Sequence, residues 1–526
     1  MNRKEFLQAA GQLSLIPVVI GGQPIRAFGK TLTHAANNYT ETDHVLVLIE
    51  LNGGNDGLNT VIPVDQYSNL FKARENVLID ENKLLKLEGT EATTLHPSMT
   101  KLQEMYKDGE LQILQGVGYP DQNRSHFRSK DIWVTGSDSS ENLNSGWIGR
   151  YLANEWPNYP AGFPNSDMSD PLAIQIGSVV SPVCQGVSVN MGLAVSNPDY
   201  FYELLTEDES TPTTRSGKEL KFIRTVAHQS NEYAKVVNEA SEKGSNKSEL
   251  YDETESLAKQ LKIVARLISG GLKTRVYTVT IGGFDTHANQ IDTTAGNEVG
   301  AHANLLNRVS EAIYAFQDDL KQLGLEDRVL GMTYSEFGRR IKSNASSGTD
   351  HGSAAPLFMF GKNVKGGILG NNPSIADEVK TGDGVEMEID FRNIYATVLK
   401  NWFCLPNDEV DTVMLQNFET LDILDTTCQT GTMARSLQKK AGDAWVYNYP
   451  NPFVDSTTVK YASNGRHVRI AILDAHGKEI HVLVDEEKTM GEHTIPLNTS
   501  NMAPGIYHLQ YQSEDVLQSR SIVKVR

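Results

Sequence analysis

The chain has 526 residues, 39% hydrophobic and 22% charged, the composition of an ordinary globular protein long enough for more than one domain. Its formal net charge of -18 argues against nucleic acid or another polyanion as a partner, and an acidic surface attracts divalent cations. Cys184, Cys404 and Cys428 are too few and too widely spaced for a zinc pattern or a disulfide framework, although they allow one disulfide.

In chain order, the first segment carries Arg3 and Lys4, then Phe6-Leu7, a mildly apolar run from Leu13 to Ile20, and the small-residue site Ala27-Phe28-Gly29. That order is the order of an export signal over residues 1–29, and Arg-Lys-x-Phe-Leu resembles a twin-arginine signal with Lys4 in the second position. No run reaches the ~18 apolar residues that would span a bilayer.

Apolar, β-branched runs then predict buried strands at Val45 to Leu51, Leu111 to Val117, Leu172 to Ile176, Arg275 to Ile281, Arg328 to Tyr334 and Leu357 to Phe360. Helical spacing joins Leu257, Leu261, Val264 and Leu267 on one face, and Leu305, Val309, Ile313, Phe316 and Leu320 on another. Strand 275–281, helix 301–323 and strand 328–334 read as a β-α-β crossover with parallel, neighbouring strands. The fold class expected is α/β, a mostly parallel sheet sandwiched by helices. Residues 206–247, polar and turn-rich, read as exposed insertions.

The segment 426–442 reads as a polar linker, and from Trp445 short strands alternate with Gly/Asn/Asp turns, as in a small all-β sandwich over 443–526. Within it Tyr449-Pro450-Asn451-Pro452-Phe453, Asp474-Ala475-His476-Gly477, Pro504-Gly505-Ile506-Tyr507 and Lys524-Val525-Arg526 resemble the type A sorting domain of the type IX secretion system, a family of Bacteroidetes and their relatives. The resemblance implies handling by the type IX machinery, passage through the periplasm, and delivery to the cell surface or the medium.

In a parallel α/β sheet, ligands bind outside the carboxyl ends of the strands. The segments at those ends are Asn52-Gly53-Gly54-Asn55-Asp56-Gly57, Gly282-Gly283-Phe284-Asp285-Thr286-His287 and Ser335-Glu336-Phe337-Gly338-Arg339-Arg340. The loop between strands 328–334 and 357–360 is too short for a helix, so the return strand is expected to be antiparallel, bringing Asp350 and His351 to the same edge. Asp56, Asp285, His287, Glu336, Asp350 and His351 are therefore candidate ligands for one or two divalent ions such as Zn²⁺ or Mn²⁺.

Ser125, near a predicted helix start, is a candidate nucleophile, with Arg124 or Arg128 to hold phosphate or sulfate oxygens. The same serine also suits a helix N-cap. No G-x-S-x-G elbow, GxxxxGK[ST] loop or GxGxxG fingerprint is present to suggest other chemistry.

Together LNGGNDGLN, NRSHFRS, GGFDTH, SEFGRR and GTDHG resemble the bacterial domain-of-unknown-function family numbered 1501 over residues 44–425. That family is grouped with the alkaline-phosphatase and sulfatase superfamily, so the resemblance implies an alkaline-phosphatase-like fold with metals and a Ser nucleophile at the strand ends. Two positions depart from the superfamily pattern: Asn52 stands where an acid is expected, with Asp56 four residues on, and Phe337 stands where a histidine is expected. The function expected is an exported, metal-dependent hydrolase of phosphate or sulfate esters. The alternative is a non-catalytic surface scaffold that keeps the fold.

Overall fold

The computed structural model describes residues 42–526 except 157–158, 161–162, 167, 188, 200–214, 427, 429–444, 450–452, 464, 475–477, 514–516 and 525–526. The expected export signal and nearly all of the expected linker lie outside the described residues. So do parts of three sorting-domain motifs: Pro450 to Pro452, Ala475 to Gly477, and Val525-Arg526. The chain divides into two compact units; residues 43–398 and 420–426 belong to the first, and 399–419 and 427–526 to the second.

The first unit is built on one sheet. Its strands are β1 (Val45–Asn52), β2 (Leu111–Gly118), β3 (Ala173–Ile176), β4 (Gly192–Val195), β5 (Val276–Gly282) and β6 (Val329–Tyr334). A hairpin of β7 (Arg339–Ser343) and β8 (Thr349–His351) follows, and then β9 (Ala355–Phe360), β10 (Gly367–Leu369) and β11 (Ile389–Asp390). The sheet order is β10-β2-β9-β6-β1-β5-β3-β4, with β11 also paired to β2. β9 runs antiparallel to both of its neighbours, as its short connection requires, and the other pairings are parallel.

The sequence reading had β5 and β6 as neighbours; they are parallel, but β1 lies between them and pairs with both. Insertion of an earlier strand into a later crossover is a long-range event that local periodicity does not encode.

On one face Val45, Val47, Ile49 and Leu51 of β1 pack with helices α2 (Thr100–Lys107), α5 (Arg215–Lys243), α6 (Ser256–Ser269) and α7 (Ala301–Leu323). Strand alternation turns Leu46 and Leu48, equally buried, to the opposite face. Tyr334, on that second face of β6, stacks with Trp133 of α3 (His126–Thr135), and Trp133 stacks on Phe391 of α8 (Phe391–Thr397) at 4.4 Å. Trp147, which begins α4 (Trp147–Glu155), stacks on Tyr395 of α8 at 4.2 Å. Each fully buried large apolar side chain in such a core contributes about 1.5–3 kcal/mol.

The expected insertion at 206–247 is corrected in part. Residues 215–243 form α5, and its Tyr233, Val237 and Ala240 join the core at helical spacing. One further helix, α1 (Tyr67–Arg74), supplies the buried Arg74.

The second unit contains two sheets. One is β12 (Trp445–Tyr449), β13 (Ser456–Ser463) and β16 (Gly491–Asn498); the other is β14 (His467–Leu473), β15 (Glu479–Glu487), β17 (Gly505–Gln512) and β18 (Leu517–Lys524). Val459, Tyr461, Val468, Ile470, Ile472, Leu509, Tyr511 and Ile522 alternate along these strands and form their core. Cys404 and Cys428, left open by the sequence, are joined in a disulfide.

Candidate metal centre at the strand ends

β1, β2, β5 and β6 are parallel, so their carboxyl ends share one edge with the start of the antiparallel β9. The loops leaving those ends pack backbone against backbone, which explains their glycines. Gly53 has φ +127°, and a Cβ there would stand 2.3 Å from the Asp285 nitrogen. A Cβ on Gly348 would stand 2.5 Å from the His287 backbone. Two motifs far apart in sequence are thereby pressed together with a third.

Asp285 is the hub. Its Oδ1 accepts from Arg339 Nη2 at 2.7 Å and lies 3.2 Å from the Nε2 atoms of both His287 and His351. Its Oδ2 lies 3.5 Å from His126 Nε2. The other ring nitrogen of each histidine faces an atom that can only accept. His287 Nδ1 lies 3.0 Å from Asp350 Oδ1, His351 Nδ1 lies 2.8 Å from the Arg124 carbonyl, and His126 Nδ1 lies 2.8 Å from Glu336 Oε1. Each ring thus stands between two acceptors, its Nδ1 toward a carboxylate or carbonyl and its Nε2 toward the Asp285 carboxylate.

The result is a concentration of acceptors. His287 Nε2 and His351 Nε2 stand only 2.8 Å apart, and ligand atoms of His126, Asp285 and His351 lie within 4.8 Å of one another. Two ring nitrogens at this distance need a proton or a cation between them. A carboxylate behind a ligating histidine is also the arrangement that orients imidazole toward a metal. The donor set, imidazole nitrogen with carboxylate oxygen, fits Zn²⁺ or a similar borderline ion.

Electrostatics agree with this charge pattern. Burial alone would raise the Asp285 pKa, but Arg339, His351 and His287 outweigh it and hold the carboxyl below its usual range. The Asp350 carboxyl is lowered too: burial opposes the shift, while Asn344, His287 and Arg340 drive it. His351 is lowered chiefly by burial, with Arg339 and His126 adding repulsion, which favours the neutral ring.

Asp285, His287, Glu336, Asp350 and His351 are thus brought together. Glu336 is buried and accepts the Gly53 N–H at 2.9 and 3.1 Å besides facing His126. Asp56 makes other contacts: it is fully buried, with Arg74 Nη1 at 3.0 Å and Gln290 Nε2 at 2.6 Å. Phe337 packs its ring 4.9 Å from that of His126 and 4.6 Å from that of His351.

Ser125 is exposed at the N-cap of α3, and its side chain makes no capping bond. Its neighbours on both sides touch the cluster, Arg124 through its carbonyl and His126 through its ring. Arg124 Nη1 donates to the Gly382 carbonyl at 2.8 Å. Arg128 is held by Asp131 and by the carbonyls of Asp138, Ser139 and Glu141.

Sequence reasoning missed His126 and Arg339. His126 follows Ser125 directly at a strand-to-helix junction, so the positional rule that selected the serine selects the histidine as well. Arg339 gave no such signal, because the polar run Arg339-Arg340-Ile341-Lys342-Ser343 does not announce a buried cation.

A cavity of about 890 Å³ opens at the same sheet edge, lined in part by Glu50, Lys130, Gln175, Asp199, Lys262 and Arg266. Lys130, ion-paired with Glu50, lies one helical turn after His126 on α3.

Residues 198–417 match the family described as protein of unknown function (DUF1501), and residues 448–525 match the secretion system C-terminal sorting domain. The sorting domain marks the chain as cargo of the type IX secretion machinery, exported to the cell surface or beyond. Among the described residues no helix is long and apolar enough to cross a membrane. No curated protein matches the chain.

Among solved structures, the chain is similar to a protein of glycosaminoglycan metabolism from Bacteroides thetaiotaomicron at 10% identity and TM-score 0.34, covering 87% of this chain and 90% of that one. It is similar to a member of the alkaline phosphatase superfamily from Vibrio parahaemolyticus at 10% identity and TM-score 0.32, with 93% and 84% covered. A Pseudoalteromonas sulfatase gives 10% identity and TM-score 0.30, with 88% and 85% covered. Similarity at this level assigns no role to any residue.

Proposed function

We propose that this exported chain, with its DUF1501 region and sorting domain, holds a divalent cation at Asp285, His126, His287 and His351 and hydrolyses phosphate or sulfate esters. The observation that carries the reading is the convergence of three imidazole Nε2 atoms on one carboxylate, each ring fixed from behind by an acceptor. Residues 1–29 serve as the export signal in this reading.

A bound cation would polarise an ester oxygen. The Ser125 hydroxyl attacks phosphorus or sulfur, losing its proton to solvent, and the bond to the ester oxygen breaks as that oxygen takes a proton from water and departs as an alcohol. Water then releases phosphate or sulfate and restores the serine. Arg124 steadies the anionic oxygens; Arg128 is already engaged by Asp131 and three carbonyls. Asp350 and Glu336 keep His287 and His126 in the tautomer that faces Asp285.

A second reading, the non-catalytic scaffold, is favoured by one specific contact. Arg339 already neutralises Asp285 Oδ1, the oxygen nearest to two of the histidines. Metal content separates the two readings. The full chain, dialysed and assayed by mass spectrometry, should retain about one divalent ion per chain and cleave p-nitrophenyl phosphate or sulfate. Ser125→Ala should keep the ion and lose the cleavage. A chain that is metal-free and inert on both esters is a scaffold.

A further inference from the structure

Behind the histidine cluster lies a side chain that touches none of the proposed ligands yet joins the segments that carry them. Gln290 is completely buried. Its Oε1 accepts from Thr286 Oγ1 at 3.1 Å and from Thr349 Oγ1 at 2.7 Å. Its Nε2 donates to Asp56 Oδ2 at 2.6 Å. Thr286 stands between Asp285 and His287, and Thr349 immediately precedes Asp350 and His351. One amide therefore ties together the loop after β1, the loop after β5 and strand β8.

The backbone repeats the tie. Thr349 N donates to the Thr286 carbonyl at 3.1 Å, and Gln290 N donates to the Ser347 carbonyl at 2.9 Å. Asp56, the far anchor, is itself fixed by the buried Arg74. With its carbonyl lone pairs taken by two hydroxyls and its amine aimed at a carboxylate, this side chain is placed as only an amide can be. Glutamate would set a second negative charge against Asp56, and an apolar residue would strand two hydroxyls and leave Asp56 Oδ2 with Arg74 alone.

We infer that Gln290 is the positioning residue of the metal centre, setting the separation between the Asp285/His287 pair and the Asp350/His351 pair. The inference rests on the cation reading above, and it gives Asp56 a function at one remove: anchoring the amide that spaces the ligands. Removal of Gln290 lets the two loops shift relative to each other, and a cation held from both loses affinity. A role confined to folding would lower stability and leave affinity unchanged.

The test is Zn²⁺ affinity of the full chain, measured by competition with a chromophoric chelator, beside thermal unfolding of the metal-free protein. Gln290→Met, which keeps the length without the polar atoms, should weaken Zn²⁺ binding about 10–100-fold, the range for supports of metal ligands. Thr349→Val, which removes one of the three bonds, should weaken it less and serves if the first variant does not fold. Tyr251→Phe removes a buried bond to Asp319 and should lower stability without moving affinity. Wild-type protein that fails to bind Zn²⁺ overturns the cation reading and this inference with it. Wild-type protein that binds, with Gln290→Met and Thr349→Val binding equally well, overturns the inference alone.

Discussion

Arg339 and Asp285 form an ion pair at 2.7 Å in which the arginine side chain is wholly buried and the aspartate side chain is 47% exposed. The guanidinium also donates to the carbonyls of Gly53, Gly54, Phe284 and Thr349, so it ties the loops after β1 and β5 to strand β8. Lysine offers a single point of charge and cannot reproduce that fork. Arg339→Lys should cost about 2–4 kcal/mol, since several buried carbonyls lose their donor. Urea unfolding of the two proteins checks it; equal midpoints would show that the fork is dispensable.

His126 should behave as a ligand. His126→Ala and His351→Ala should each lower retained metal, and added Zn²⁺ should raise the melting temperature of the wild type by mass action but not that of the variants. A wild-type melting temperature indifferent to Zn²⁺ and to EDTA would refute the assignment.

Gly348→Ala should damage the site although no functional group changes. The new methyl would need the space of the His287 backbone, 2.5 Å away, so the β7–β8 hairpin must shift. Zn²⁺ affinity should drop at least tenfold, by analogy with other losses of ligand support. Gly109→Ala, where a Cβ meets nothing within 4 Å but φ is +76°, should cost about 1 kcal/mol and leave affinity intact.

Acid should destabilise the fold before the carboxylates protonate. Burial pushes His96 down to about 3 and His302 down to about 4; the rings repel one another when charged, and Arg74 and Arg339 oppose a charge on His302 while Asp56 favours it on both. Between pH 6.5 and 4 the unfolded chain binds protons at these positions and the folded chain does not. Stability is therefore full above pH 6.5 and declines as pH falls, by at most about 1.4 kcal/mol per pH unit for each histidine. Urea midpoints at pH 7.5, 6 and 5 check this. His302→Asn should flatten the profile, and a wild-type midpoint constant from pH 7.5 to 5 would contradict it.

The strands of the first unit were legible because β-branched runs at Val45 to Leu51 or Arg328 to Tyr334 are buried on both faces and need no partner to be recognised. The acids and histidines after them were legible by the same token, since a strand end in a parallel sheet is a place for ligands. What escaped depended on distance in sequence. The pairing of β1 with both β5 and β6 joins residues more than two hundred apart. Asp56 looked like a ligand from its motif, and only the fold reveals Arg74 and Gln290 around it. Helix α5 was partly readable, for Tyr233, Val237 and Ala240 keep helical spacing within a polar stretch.

The bond between Cys404 and Cys428 closes a loop over a separation of 24 residues and ends one position before the stretch that leads to the sorting domain. A covalent clasp there makes the position of a protease cut readable on a gel. A cut between 405 and 427 leaves two fragments that travel together until a reductant is added. A cut between 429 and 444 frees the C-terminal fragment at once, so the clasp stays with the larger piece and the remainder of the tail can be discarded without unfastening it.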